Sequence, residues 1–197
     1  MTEVDPEEAP VGRLFRGWMK LFYGALGLFV LLFALGWWVA RPADPDDFYR
    51  AEVPPDARPG QLLSAEPFRR GVPEGARGWR ILYTTTGADG GLRTASGLVI
   101  ASLDASREQR PVLAWAHGTT GIQPGCARSV LDEPFAFAPA FETALEAGWA
   151  WVATDYTGLG TEGPHPYLVG PLEARAVLDA VRAARALRAL NLADRTV

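Results

Sequence analysis

Metal-ligating and redox-active side chains are scarce in this chain: its 197 residues include one cysteine and two histidines. Cys126 cannot form an internal disulfide, and no second Cys or cluster of His stands near it at metal-ligand spacing. Neither a metal nor any other cofactor is therefore expected. Its plainest reading is a buried thiol, with pairing to another chain left open. Long basic runs are missing too. With 19 basic against 23 acidic residues the net charge is -4, and no Lys/Arg stripe exists that could track phosphates, so nucleic acid is not an expected partner. A disordered composition is equally absent, since 48% hydrophobic and 21% charged residues suit one domain with a real core.

Charge is also missing locally. The stretch "LFYGALGLFVLLFALGWWVA", residues 21–40, has no charged side chain, and twenty helical residues span roughly 30 Å, the hydrocarbon thickness of a bilayer. Trp18, Tyr23, Trp37 and Trp38 sit where aromatic rings favour the membrane interface. Arg13, Arg16 and Lys20 precede the run, whereas Arg41 and Arg50 beyond it are mixed with Asp44, Asp46 and Asp47. That asymmetry predicts a single-pass signal anchor with its N-terminus in the cytoplasm and the folded part outside. Cleavage and secretion is the alternative, but the apolar run exceeds a signal-peptide core and Trp38-Val39-Ala40 is a poor cleavage site. A buried core helix would need a polar face, which the run lacks.

Four segments follow from this reading: a cytoplasmic tail (1–20), the anchor (21–40), a Pro- and Asp-rich extended linker (41–75) and a folded region (76–197). Within the last, "GWRILYTTT" and "LRTASGLVIAS" flank the turn-forming "GADGG" and predict a hairpin. "PVLAWAHG" and "WAWVATD" are short apolar runs with the look of strands buried on both faces. A helix is expected from Pro139 to Gly148. A longer one opens at Pro171 and presents Ala176, Val177, Ala180, Val181, Ala184 and Leu187 on one face. Arg195-Thr196-Val197 reads as the start of a further strand. The class is α/β, and with so few parallel strands the expectation is a fragment of a larger sheet.

Two glycine-rich stretches invite a ligand. Gly158, Gly160 and Gly163 match G-x-G-x-x-G after a strand, but a dinucleotide cradle must open a helix at once. Pro164 and Pro166 remove the N–H groups and the helical bias that such a site uses, so no nucleotide is expected. The other stretch is "AWAHGTTG", residues 114–121, where His117-Gly118 ends a strand. Backbone N–H groups at such a strand end converge on the ligand site of open α/β sheets and can face an oxyanion; a tight turn with a satisfied histidine is the alternative reading.

Taken together in order and spacing, "PVLAWAHGTTGIQPGCARS", "GWAWVATDYTGLGTEGPHPYLVG" and "EARAVLDAVRAARAL" resemble the secretory lipase family of α/β-hydrolases, which includes lipase A-like fungal enzymes. The resemblance covers roughly residues 76–197 and corresponds to the N-terminal half of that fold: a hairpin, then parallel strands with crossover helices, here behind one transmembrane helix. It implies hydrolysis of carboxylic esters, triacylglycerols or related lipids, by a Ser-His-Asp triad. Arg128 stands where Pro is common in the family, a minor departure. The larger departure is catalytic. None of Ser64, Ser96, Ser102, Ser106 or Ser129 lies in G-x-S-x-G, and the fold's order of Ser, acid, His places the whole triad after the strand near Thr196. What carries over is an oxyanion hole at Gly118 and Thr119, with His117, Asp155 and Tyr156 on the cleft rim. Asp155 is open to a second reading as a loop-capping residue. No catalytic residue is expected in this chain, which alone should be inactive. A non-catalytic membrane-tethered binding module and another α/β-fold serine hydrolase remain alternatives.

Overall fold

A computed structural model describes residues 10–103 and 109–196. Two compact units emerge, one ending at Arg41 and one beginning at Pro42. The first is a single helix, α1 (Pro10–Val39). Within it Leu14–Val39 is long and apolar enough to cross a membrane or to act as a signal sequence. Aromatic side chains one turn apart stack along it, Phe29 on Phe33 and Phe33 on Trp37, as helical i,i+4 neighbours do.

The second unit is built on a six-stranded sheet of β1 (Leu62–Phe68), β2 (Ala76–Thr86), β3 (Leu92–Ser102), β4 (Arg110–Trp115), β5 (Ala150–Tyr156) and β6 (Leu192–Thr196). Its strand order is β1-β2-β3-β5-β4-β6. The hairpin forms as its sequence predicts, with Thr86 opposite Leu92 and Ala76 opposite Ser102. Pairing is antiparallel from β1 through to β5 and parallel from β5 to β4 and from β4 to β6. Each parallel step needs a crossover, supplied by the segment containing α2 (Phe141–Glu146) and by α3 (Gly170–Ala184).

The helices take opposite faces of the sheet. Val152 and Ala150 point with Ile81, Tyr83, Val99 and Val112 toward Ala180, Val181 and Ala184 of α3. The alternate residues Trp151 and Ala153 pack with Ile100 against Phe141 and Leu145 of α2. This two-residue alternation leaves every position of β5 buried.

Three sequence expectations are corrected. Residues 41–75 are not simply an extended linker, because β1 adds to the sheet beside β2, pairing Pro67 with Trp79. Pro67 disguises the strand; it is tolerated because β1 lies at the sheet edge, where a missing N–H costs no ladder bond. Upstream, Asp46 caps a short turn at Asp47–Tyr49, Tyr49 is buried, and Arg80 ties Asp46 and Glu66 to the sheet at 2.7 Å each. Secondly, β4 is fully covered only at Arg110 and Val112, its remaining residues being half-buried. Lastly, β6 begins at Leu192 rather than near Thr196.

Candidate functional site

The loops after β4 and β5 meet over the carboxyl ends of these parallel strands. They enclose a pocket of about 110 Å³ lined by His117, Gly118, Thr119, Tyr156, His165 and Tyr167, with Glu173 at the start of α3. A row of rings forms its wall: His117 to Tyr156 at 4.8 Å, Tyr156 to His165 at 5.9 Å and His165 to Tyr167 at 6.1 Å. Tyr156 holds the turn in place by donating from its hydroxyl to the His117 carbonyl at 3.0 Å. It does so from φ +70, a left-handed conformation that costs a non-glycine residue about 1–2 kcal/mol and that concentrates at functional sites. Burial, with the Glu173 charge nearby, pushes its hydroxyl pKa up to about 12.

The turn itself is open at the positions the sequence singles out. A Cβ at Gly118 would meet nothing within 4 Å. Among the described residues, no acceptor takes the backbone N–H of Gly118 or of Thr119. His117 donates from Nδ1 to the Gly118 carbonyl at 2.7 Å, while its buried Nε2 has no hydrogen-bond partner among the described residues. Gly121 closes the turn at φ +137, packed so tightly on Cys126 that a side chain there would overlap the sulfur. Cys126 is a free, buried thiol.

Of the rim residues expected from sequence, His117 and Tyr156 line the pocket, but Asp155 does not. It points beneath the site and is 1% exposed. Its carboxylate accepts from the Ser129 N–H at 2.9 Å, the Ser129 hydroxyl at 2.5 Å and the Ser96 hydroxyl at 2.7 Å. Tyr49 donates to the Ser129 hydroxyl at 2.8 Å, so the 42–50 segment, β3, the β4–β5 connection and β5 are tied at one carboxylate. Burial pushes this carboxyl up from its ordinary value, and the bonds from Ser129 and Ser96 oppose that rise. Asp155 therefore anchors the loops rather than facing a ligand. Arg128, the departure from the family pattern, is also accommodated: its guanidinium lies over Trp115 at 5.0 Å and donates to the Ala136 carbonyl at 3.0 Å.

Two of the G-x-G-x-x-G glycines serve packing, Gly158 and Gly160, whereas a Cβ at Gly163 would meet nothing within 4 Å. At φ +77, Gly160 brings its backbone so close to Tyr49 and Ser96 that a Cβ would stand 2.8 Å and 2.9 Å from them. No helix opens at Gly163, because α3 starts at Gly170. The residues missed in the sequence are those that sit across the pocket, His165, Tyr167 and Glu173; only the place of the first two in the loop after β5, and of Glu173 in the first turn of α3, could have signalled them. Among the described residues there is no group of three or more His, Cys, Asp or Glu that could hold a metal ion.

A hairpin leading into antiparallel β3–β5 pairing, then parallel strands crossed over by helices on both faces with a glycine turn at the strand ends, is an α/β-hydrolase-like arrangement of the lipase and esterase kind. Solved structures agree. The rice cell wall degrading esterase LipA from Xanthomonas oryzae matches with TM-score 0.56 and 25% identity, over 71% of this chain and 41% of that one. Candida antarctica lipase A matches in fold with TM-score 0.55 and 22% identity, over 75% of this chain and 37% of that one. The chain thus spans about two fifths of the length of these neighbours. No family model and no curated protein sequence matches it.

Proposed function

We propose that the folded unit is the oxyanion side of a carboxylic ester hydrolase, a lipase or lipid esterase, whose nucleophile, acid and general base are carried on sequence that follows β6. The observation that carries this is the pair of N–H groups at Gly118 and Thr119, without an acceptor, in a pocket at the carboxyl end of β4. An ester carbonyl seated there would place its oxygen on these donors as a serine adds to the carbon, and they would stabilise the negative charge that develops on it. Loss of one such donor costs about 3 kcal/mol in the barrier. The N-terminal helix anchors the protein, with Arg13, Arg16 and Lys20 holding the N-terminus in the cytoplasm and the hydrolase unit outside.

Two measurements test the reading. Coding sequence downstream of Val197 should contain a G-x-S-x-G elbow within about twenty codons. The enzyme carrying it should hydrolyse p-nitrophenyl esters, and Thr119→Pro, which removes a donor, should lower kcat about 10²-fold or more with KM little changed. The 197-residue chain should show no turnover; ester hydrolysis that survives replacement of all its serines would overturn the serine-hydrolase account. If no elbow follows, the non-catalytic tethered module becomes the better description. Mass spectrometry of the membrane-extracted protein separates an intact anchor from a cleaved signal.

A further inference from the structure

A second hollow opens at the other end of the sheet. Strand pairing sets Ala76 opposite Ser102 and Ala101 opposite Ala150, the first residue of β5, so the turn between β1 and β2 lies away from the strand ends that carry Gly118. Gly78 lets this turn fold back on the sheet: a Cβ there would stand 2.7 Å from the Phe68 carbonyl oxygen and 2.7 Å from Val72 Cγ2. Hydrogen bonds hold the turn in place. Val72 donates its N–H to the Arg69 carbonyl at 3.2 Å, Leu103 donates to the Gly75 carbonyl at 2.6 Å, and Arg70 reaches the Val130 and Leu131 carbonyls at 2.6 Å and 2.9 Å. The hollow beside the turn measures about 460 Å³, within the range of small-molecule sites, roughly 300–1,000 Å³.

Its lining combines an apolar floor with positive charge. Phe68 is buried, Val72, Pro73 and Trp79 are half-buried, and the exposed Arg69 and Arg77 complete the wall. Among the described residues no carboxylate lines it. Glu66 and Asp46, on and before β1, are engaged by Arg80 at 2.7 Å each, and Glu74 in the same turn forms no ion pair with either free arginine. Neither Arg69 nor Arg77 has a hydrogen-bond or ion-pair partner among the described residues. Two uncompensated cations beside an apolar floor, in a chain of net charge -4, are a local reversal of charge that draws an anion. A guanidinium also offers a carboxylate two parallel N–H bonds.

We propose that this hollow binds an organic acid in its anionic form, the carboxylate held by Arg69 and Arg77 and an apolar body laid on Phe68, Val72 and Trp79. Both halves of such a ligand are needed. An inorganic anion gains nothing from the apolar floor, and an uncharged alcohol gains nothing from the arginines. The inference makes no use of the hydrolase reading, so a chain without turnover binds the acid equally well.

The test uses the full chain in an uncharged detergent, with its seven tryptophans replaced by 5-fluorotryptophan and the Trp79 resonance assigned from Trp79→Phe. Titration with 4-phenylbutyrate should shift the Trp79 fluorine signal saturably, with a Kd on the order of 1 mM. 4-Phenylbutanol and sulfate should each bind about tenfold more weakly or not at all. Arg69→Gln combined with Arg77→Gln should weaken the acid about tenfold or more, whereas Arg175→Gln, which removes an exposed charge from α3, should leave its affinity unchanged. Raising salt from about 0.05 M to about 0.5 M should weaken binding to the unaltered chain, a result that depends on no variant folding. Equal binding of the alcohol or of sulfate would overturn the proposal, as would undiminished affinity in the double variant or at high salt. So would a shift shared with Trp18, Trp37 and Trp38 of α1, which would mean uptake of the acid by detergent.

Discussion

Ser129, Asp155 and His117 come together near the ends of β4 and β5, yet they are not wired as a triad. In a triad the imidazole stands between serine and carboxylate. Here the Ser129 and Ser96 hydroxyls donate straight to Asp155, and among the described residues His117 Nε2 has no hydrogen-bond partner. The group with a titration consequence is His117. Burial pushes its imidazole below the ordinary value of 6.5, against the bond to Gly118 and the Asp155 charge, which pull it up. A depressed folded value means the unfolded chain takes the proton first. Stability from neutral His117 is therefore complete above about pH 6.5 and is lost as pH falls through the lower folded value. Asp155, raised in the folded state, works in the opposite sense, adding stability as pH falls. Urea denaturation of the intact chain in mild detergent, from about pH 7.5 to about 5.5, should show a stability loss that His117→Phe reduces. An unchanged slope in the variant would mean that His117 does not carry it.

The loop between β5 and α3 depends on what its glycines allow. Replacing Gly160 with Ala asks the backbone to hold φ +77 with a Cβ 2.8 Å from the Tyr49 ring, a conformational cost and an overlap together. The expected loss is roughly 2–4 kcal/mol, with the near-ultraviolet signal of the buried tyrosine altered. A change under about 0.5 kcal/mol, the scatter of ordinary surface substitutions, would show that the loop is not held against Tyr49. Elsewhere in the same layer, Tyr83 joins elements by donating to the Ala176 carbonyl at 2.9 Å and pairing with the Thr154 hydroxyl at 2.6 Å. These ties explain why α3 buries Tyr83 and Asp179 as well as its alanine face: Asp179 accepts from Thr85 at 2.8 Å and from Arg182 at 2.5 Å. Periodicity located the alanines, but nothing in the pattern marked a buried aspartate. Of its two partners, Arg182 is one turn away, but Thr85 lies 94 positions away.

At the scale of the whole molecule, the folded unit begins earlier than composition suggests. A chain starting at Pro42 should be soluble and resist limited proteolysis. One starting at Ala76 loses β1, Tyr49 and the tie to Ser129, bares the edge of β2, and should aggregate or digest quickly. Equal resistance of the two would return residues 42–75 to linker status. Local chemistry by itself determined a good deal: the apolar run of α1, the hairpin around "GADGG", the late start of α3 after Pro164 and Pro166, and the turn at His117-Gly118. Each rests on steric and hydrophobic rules that act within a few residues. Tertiary structure alone decided that β1 is a strand, that Asp155 lies beneath the cleft, and that His165 and Tyr167 stand opposite Gly118. It also set Pro42 beside Gly125. An edge strand takes its identity from the strand it pairs with, and a buried carboxylate takes its role from donors that the fold brings to it. Both depend on contacts between residues distant in sequence, which no local pattern encodes.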